Sequence, residues 1–228
     1  MLNQLQQVAA WQAVCETHSV QSLLHNAQDI EMRFLHHGDF GLPVSVCHSA
    51  QGQTWVASPL SMYADYAQEE TSRHMPRLAS ASVNAILSGL KTWLKRANFA
   101  HAAMLNNWLV STNLYPSLHT ESVERLMAQA LQRFPHHALW WRSLNPHHHA
   151  DWLQYLQQQG FLLLPSRRIY LLDQPHTAKQ RLSNWRKDVR LLRQSPVHAL
   201  EAADFAAPEV CEQALRLYQQ LYTDKYSL

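Results

Sequence analysis

The chain has 228 residues, 46% of them apolar, with 8 Trp, 8 Tyr and 6 Phe, so it can bury a substantial core and is not a disordered polymer. Its formal net charge of +2 selects neither an acidic nor a basic partner. No run reaches the roughly 18 apolar residues of a membrane span, MLNQLQQVAAWQAVCETH lacks the segments of a secretory leader, and Cys15, Cys47 and Cys211 are too scattered for a disulfide framework, so the expectation is a cytoplasmic protein with reduced thiols.

Residues 2–25 place Leu5, Val8, Trp11 and Val14 at helical spacing and predict a helix. IEMRFLHH (30–37), LPVSVCHS (42–49) and TWVAS (54–58) read as three strands joined by the turn-forming GDFG and AQGQ, an antiparallel meander. Ser58 and Pro59 supply a cap and a first-turn residue for a helix over 58–70. A second helix is expected over 79–98, a strand over 103–116, a helix over 120–134 and a strand over 138–144.

Asn145, Pro146 and Gly160 frame a helix over 145–160. FLLLPSRRIYLLD (161–173) reads as two strands broken at Pro165. A basic helix over 177–194, a short strand over 196–204 and a closing helix from about 208 complete the chain. A meander followed by alternating strands and helices predicts an α/β fold, a mixed sheet with helices on both faces.

The strings TWVASPLSMYADYAQEE, NNWLVSTNLYP, RSLNP, GFLLLPSRRIYLLD, NWRKDVRLLRQS and LYQQLYTDKYS, spread over residues 30 to 228, resemble GNAT-superfamily N-acyltransferases, in particular tandem GNAT-like proteins related to the Fem-type peptidoglycan aminoacyltransferases. The resemblance implies two halves. Residues 1–172 would form a GNAT-like half without a donor motif, and residues 173–228 the beginning of a second, incomplete one. The implied activity is acyl transfer to an amine on a small molecule or peptide, from acyl-coenzyme A or an aminoacyl donor.

A GNAT cradles the donor pyrophosphate on backbone N–H groups at a strand-to-helix turn, in R/Q-x-x-G-x-G/A. This chain has five glycines where average usage would give about 16, none after Gly160 and none in a G-x-G. At the comparable turn Ser58 and Pro59 stand instead, and proline has no N–H to offer. The expectation is therefore a fragment that binds no cofactor by itself and is inactive alone, completed by a missing C-terminal half or a partner chain. The alternative is a non-catalytic binding module or one half of a split enzyme. Val210, Ala214, Leu217, Tyr218 and Leu221 of the closing helix form an apolar stripe that such a partner would cover.

Three groups are substrate-binding candidates. Asn107, Ser111 and Asn113 share one face of the expected 103–116 strand, where the plainer reading is a satisfied polar network. Arg168 and Tyr170 share a face beside a strand break, and could as well anchor a hairpin. Arg186 and Arg190, with Lys179 and Arg193, make a basic ridge beside the apolar stripe Ala178, Leu182, Trp185, Val189 and Leu192. A solvated flank explains that ridge most simply; a charged substrate comes next and nucleic acid last. His147 and Asp151 could share a metal at i, i+4, but no H-E-x-x-H or Cys-His pattern accompanies them, and the expectation is no metal. No catalytic residue can be named, and no G-x-S-x-G marks a nucleophile.

Overall fold

The computed structural model describes residues 3–24, 27, 29–48, 54–166, 168–171, 183–196, 200 and 203–223. Contacts divide the chain into two units, Met1–Arg167 and Arg168–Leu228. The first is built on a four-stranded mixed open sheet in the order β1-β2-β3-β4: β1 (Ile30–His37), β2 (Phe40–Cys47), β3 (Ala102–Leu105) and β4 (Ala138–Trp141). β1 pairs antiparallel with β2 and β2 with β3, whereas β3 and β4 run parallel.

Alternation along the strands divides the core into two faces. Leu35, Leu42, Val44, Val46, Ala103 and Leu105 point to one face. There they meet Val123, Leu126, Met127 and Ala130 of α5 (Thr120–Arg133) and Trp152, Tyr155 and Leu156 of α6 (Ala150–Gln158). On the other face Ile30 and Met32 pack with Trp11 of α1 (Gln4–Thr17) and Val20 of α2 (Val20–Leu23). Helices thus cover both faces. α1 and α2 replace the single expected helix because Ser19 starts a new cap, its Oγ accepting from Ser22 N at 3.3 Å.

The expected third strand over 54–58 is a turn. Thr54 O accepts from Ala57 N at 3.0 Å and Ser58 N at 3.1 Å, and β3 takes the place beside β2. The chain then passes through a π-helical turn (Ser61–Asp65) into α3 (Tyr66–His74) and α4 (Arg77–Arg96). Leu60, Ala64, Leu94 and Ala100 form a small separate core, with Tyr63 and Phe99 packed against it. Phe99 also meets the Trp140 ring edge-on, 5.0 Å between centroids.

The expected 103–116 strand stops at Leu105, because Asn106 and Leu109 take left-handed backbone at φ 53° and 58° and break the extended path. α6 starts one turn later than expected. Asn145 Oδ1 accepts from His147 N and His148 N at 3.1 and 2.9 Å, an Asx turn ahead of the helix, and His149 is the cap residue. Its end is as expected. Gly160 sits at φ 86°, with Gly160 N bonding Gln157 O and Phe161 N bonding Leu156 O, a Schellman close.

Neither of the two strands expected in 161–173 forms over residues 161–166 and 168–171, while 172 and 173 lie outside the described residues. Leu162, Leu163 and Leu164 are 87%, 48% and 49% exposed, so no sheet buries one face of them. The second unit contains α7 (Ser183–Gln194), a 3-10 turn (Asp204–Ala206), α8 (Pro208–Tyr218) and a π-helical turn (Gln219–Thr223). The described residues of the expected 196–204 strand are not in a strand. None of the second unit's residues whose burial is described is buried. Of the cysteines, Cys47 is buried, Cys15 half-buried and Cys211 exposed.

Two glycines of the first unit should respond with opposite signs. A Cβ on Gly89, mid-way along α4, meets nothing within 4 Å. Gly89→Ala should therefore stabilise by roughly 0.5–1 kcal/mol, through helix propensity. Gly160→Ala forces a side chain into left-handed backbone and should cost roughly 1–2 kcal/mol. Urea midpoints of the two variants against the parent chain check both.

Candidate functional site

Two parallel neighbouring strands put their carboxyl ends at the same edge of a sheet, the place where open α/β sheets receive ligands. Here that edge carries the segment 106–115 after β3 and Arg142 directly after β4. Arg142 is 5% exposed. Its Nε donates to Asn107 Oδ1 at 3.1 Å, Nη1 to Ser111 O at 3.3 Å and Ser143 Oγ at 3.2 Å, and Nη2 to Asn113 Oδ1 at 3.3 Å and to Val110 O. A guanidinium has five N–H groups, and these are five neutral oxygens. The Trp55 ring lies against the same group, 5.8 Å from Cζ.

Asn106 and Asn107 are bound equally closely, whereas the Asn113 Nδ2 is buried without a partner among the described residues. Asn107 Nδ2 donates to Ser45 Oγ at 2.6 Å and Val56 O at 2.8 Å, and its Oδ1 also accepts from Leu109 N at 3.2 Å. Asn106 Nδ2 donates to Leu114 O at 2.8 Å while its Oδ1 accepts from Trp108 Nε1 at 3.0 Å. Tyr115 OH donates to Arg142 O at 2.7 Å. Burial pushes the Tyr115 phenol far above its ordinary range, outweighing the opposing pull of the Arg142 charge, so it stays a neutral donor and is no proton acceptor at neutral pH. Three of the five described non-glycine residues with positive φ, Asn106, Leu109 and Ser143, belong to this edge. Each costs on the order of 1 kcal/mol or more and persists only where surrounding bonds over-determine it.

The structure thus brings Asn107, Ser111 and Asn113 together around one cation, although they lie on a loop instead of a strand face. Ser111 takes part through its carbonyl oxygen. Because the five bonds occupy its donors, Arg142 acts as a clamp that shapes the loop, and the exposed rim at 110–112 and Leu114 is what a ligand at this edge would meet. Sequence reasoning assigned no role to Arg142, Asn106 or Tyr115. The available signal was a lone charge closing the apolar run ALWW, where a buried strand end requires it to be paired.

The other candidates lie in the second unit. Arg168 and Tyr170 are exposed, Tyr170 by 90%, and neither is on a strand. Arg186 and Arg190 line an open cavity of about 430 Å³ with Trp185, Val189, Arg193 and Gln194, all on α7. Of the apolar stripe, Trp185 is 38% and Leu192 56% exposed and Val189 is half-buried, while residues 178 and 182, with 179 of the ridge, lie outside the described residues.

At the Ser58 turn, Ser58 Oγ accepts from Ser61 N at 3.3 Å and Ser58 O from Met62 N at 3.0 Å. Ala57, Ser58 and Leu60 are all 0% exposed. That helix start is capped by its own chain and packed over, a poor seat for a pyrophosphate.

At the opposite edge of the sheet stand His48 after β2, His101 before β3 and His137 before β4. His137 Nε2 lies 3.3 Å from His48 Nδ1, and His48 Nε2 lies 3.6 Å from Glu31 Oε2. Among the described residues no group of three His, Cys, Asp or Glu side chains is placed to hold a metal. Burial first, then the neighbouring His48, His101 and His136, hold the His137 imidazole below its ordinary range. No family model, curated protein or solved structure matches the chain.

Two variants test this geometry. Arg142→Lys keeps the charge but cannot span five acceptors, and should lower stability by about 2 kcal/mol or more, read from chemical denaturation. His137 binds its proton less readily folded than unfolded. Its contribution is therefore fully present above about pH 6.5 and is lost as pH falls through that value toward the lowered folded pKa. His137→Gln should flatten the fall in denaturation midpoint between about pH 7 and pH 5.

Proposed function

We propose that the chain is the acceptor-side portion of a GNAT/Fem-type N-acyltransferase, which moves an acyl group from a thioester or aminoacyl donor to an amine on a small molecule or peptide. The observation that carries this reading is the sheet. Two antiparallel pairings followed by one parallel pairing set a rigid, strained polar loop at the carboxyl ends of β3 and β4. A loop held by four bonds to one guanidinium suits the positioning of an amine, where orientation supplies much of the rate.

The donor site belongs elsewhere in this reading. No G-x-G occurs in the 228 residues, and the Ser58 turn is filled by its own side chains. A backbone cradle for the diphosphate, and the donors for the tetrahedral oxyanion, come from a further half or a second chain. Residues 106–115 then contribute acceptor orientation and no proton transfer.

A second reading, a binding module or one half of a split enzyme, is favoured by a different observation. Of the stripe on α8 and the turn after it, Leu217, Tyr218 and Leu221 are 51%, 60% and 60% exposed, while Val210 and Ala214 are half-buried. In both readings a partner covers this face.

Calorimetry on the chain alone decides about the donor. No uptake of acetyl-coenzyme A is expected, and binding in the low-micromolar range overturns the assignment to the acceptor side. Light scattering run beside it reads the uncovered face: self-association or uptake of a partner supports cover of α8, and a monodisperse monomer that binds no apolar dye argues against it.

A further inference from the structure

Helix α4 has a face that the fold leaves uncovered. Its 20 residues span about 30 Å. Ser80 and Leu94 are its buried residues, while the flank carries Leu78 at 88%, Ile86 at 73%, Leu90 at 38% and Trp93 at 63% exposure. At 100° per residue these four fall within an arc of about 120°. Ser82, Ala85 and Gly89 lie between or beside them and are exposed too, which keeps the band low and flat. A single exposed leucine calls for no explanation, but a continuous band of this kind marks a contact surface.

Charge identifies the occupant. Residues 77–96 contain Arg77, Lys91, Lys95 and Arg96 and no Asp or Glu. Lys91 pairs with Asp65, and Gln68 Nε2 donates to Ser88 Oγ at 2.9 Å, so the inner side of the helix is fixed to the segment before it. The acids of the neighbouring α3 are engaged as well: Glu69 with Arg73 at 2.8 Å and Glu70 with His74 at 3.5 Å. Arg77 at one end and Lys95 and Arg96 at the other remain exposed beside the apolar band.

We propose that α4 docks the first unit on an anionic membrane surface. Leu78, Ile86, Leu90 and Trp93 would enter the headgroup boundary while Arg77, Lys95 and Arg96 meet lipid phosphates, the arrangement of an interfacial amphipathic helix. Trp93, close to Lys95 and Arg96, suits the boundary between hydrocarbon and water. A second copy fits less well. Two α4 helices paired in parallel bring Lys95 and Arg96 against themselves, and paired antiparallel bring Arg77 against them; like charges meet either way.

The test is co-sedimentation of the full chain with vesicles of phosphatidylglycerol and phosphatidylcholine, set against phosphatidylcholine alone. Binding to the anionic vesicles is expected, weakened by about 0.5 M salt. It should fall roughly tenfold or more in Ile86→Glu/Trp93→Glu and also in Lys95→Glu/Arg96→Glu. Circular dichroism checks the fold of these variants, whose altered side chains are all exposed. Three outcomes overturn the proposal. The first is no preference for anionic vesicles. The second is loss of binding in Arg186→Glu/Arg190→Glu on α7 but not in the α4 variants. The third is a dimer that Ile86→Glu dissolves, with no vesicle binding.

Discussion

A buried guanidinium in an apolar sheet edge is costly unless each of its donors is met. Arg142 meets that requirement through the segment 106–115 and Ser143, and much else in the first unit follows from it. Five oxygens must converge on one planar group. To bring them there the backbone turns left-handed at Asn106, Leu109 and Ser143. Asn107 then reaches across to Ser45 on β2 and to Val56, tying the middle of the sheet to the turn that precedes α3. One side chain thus couples the ends of the parallel strands to the antiparallel pair.

The two edges of the sheet differ in chemistry. At the carboxyl ends of β3 and β4 the charge is locked in place by neutral oxygens, while Asn113 Nδ2 and Trp141 Nε1 are buried without a partner among the described residues. At the opposite edge His48, His101 and His137 crowd together beside Glu31, and burial first, then the neighbouring imidazoles, favour a neutral ring at His137. The first edge is a fixed scaffold across the physiological range, whereas the second responds to acid. Any transfer chemistry at the first edge would draw its proton acceptor from another source, since Tyr115 is held neutral.

The second unit follows different physics. Its helices carry apolar stripes of ordinary quality, yet none of the residues whose burial is described is buried. Helical stability in proteins comes chiefly from burying such a stripe, so α7 and α8 have amphipathic form without the packing that usually accompanies it. α4 differs, because one of its sides is anchored by Leu94, Gln68 and Lys91 while the other stays open. Its exposed band is left over after a real core has formed.

Most helices were legible in the sequence, because periodicity and caps act over a few residues: α4, α5, the Gly160 close of α6 and the start of α8 at Pro208 all fall where local signals place them. The α/β class and the first two strands were legible for the same reason. Of the site, Asn107, Ser111 and Asn113 were visible as polar residues in an apolar run, but their use as ligands of Arg142 was not, since the two segments are about 30 residues apart. Residues 54–58 and 106–115 look like strands by alternation, yet one becomes a turn and the other a strained loop. Strand identity depends on a neighbour with free backbone groups, and β3 occupies the position beside β2. Local side-chain patterns determined where helices begin and end. Which segments pair, which face stays bare and which cation is buried were decided only when distant parts of the chain competed for the same hydrogen bonds and the same apolar surface.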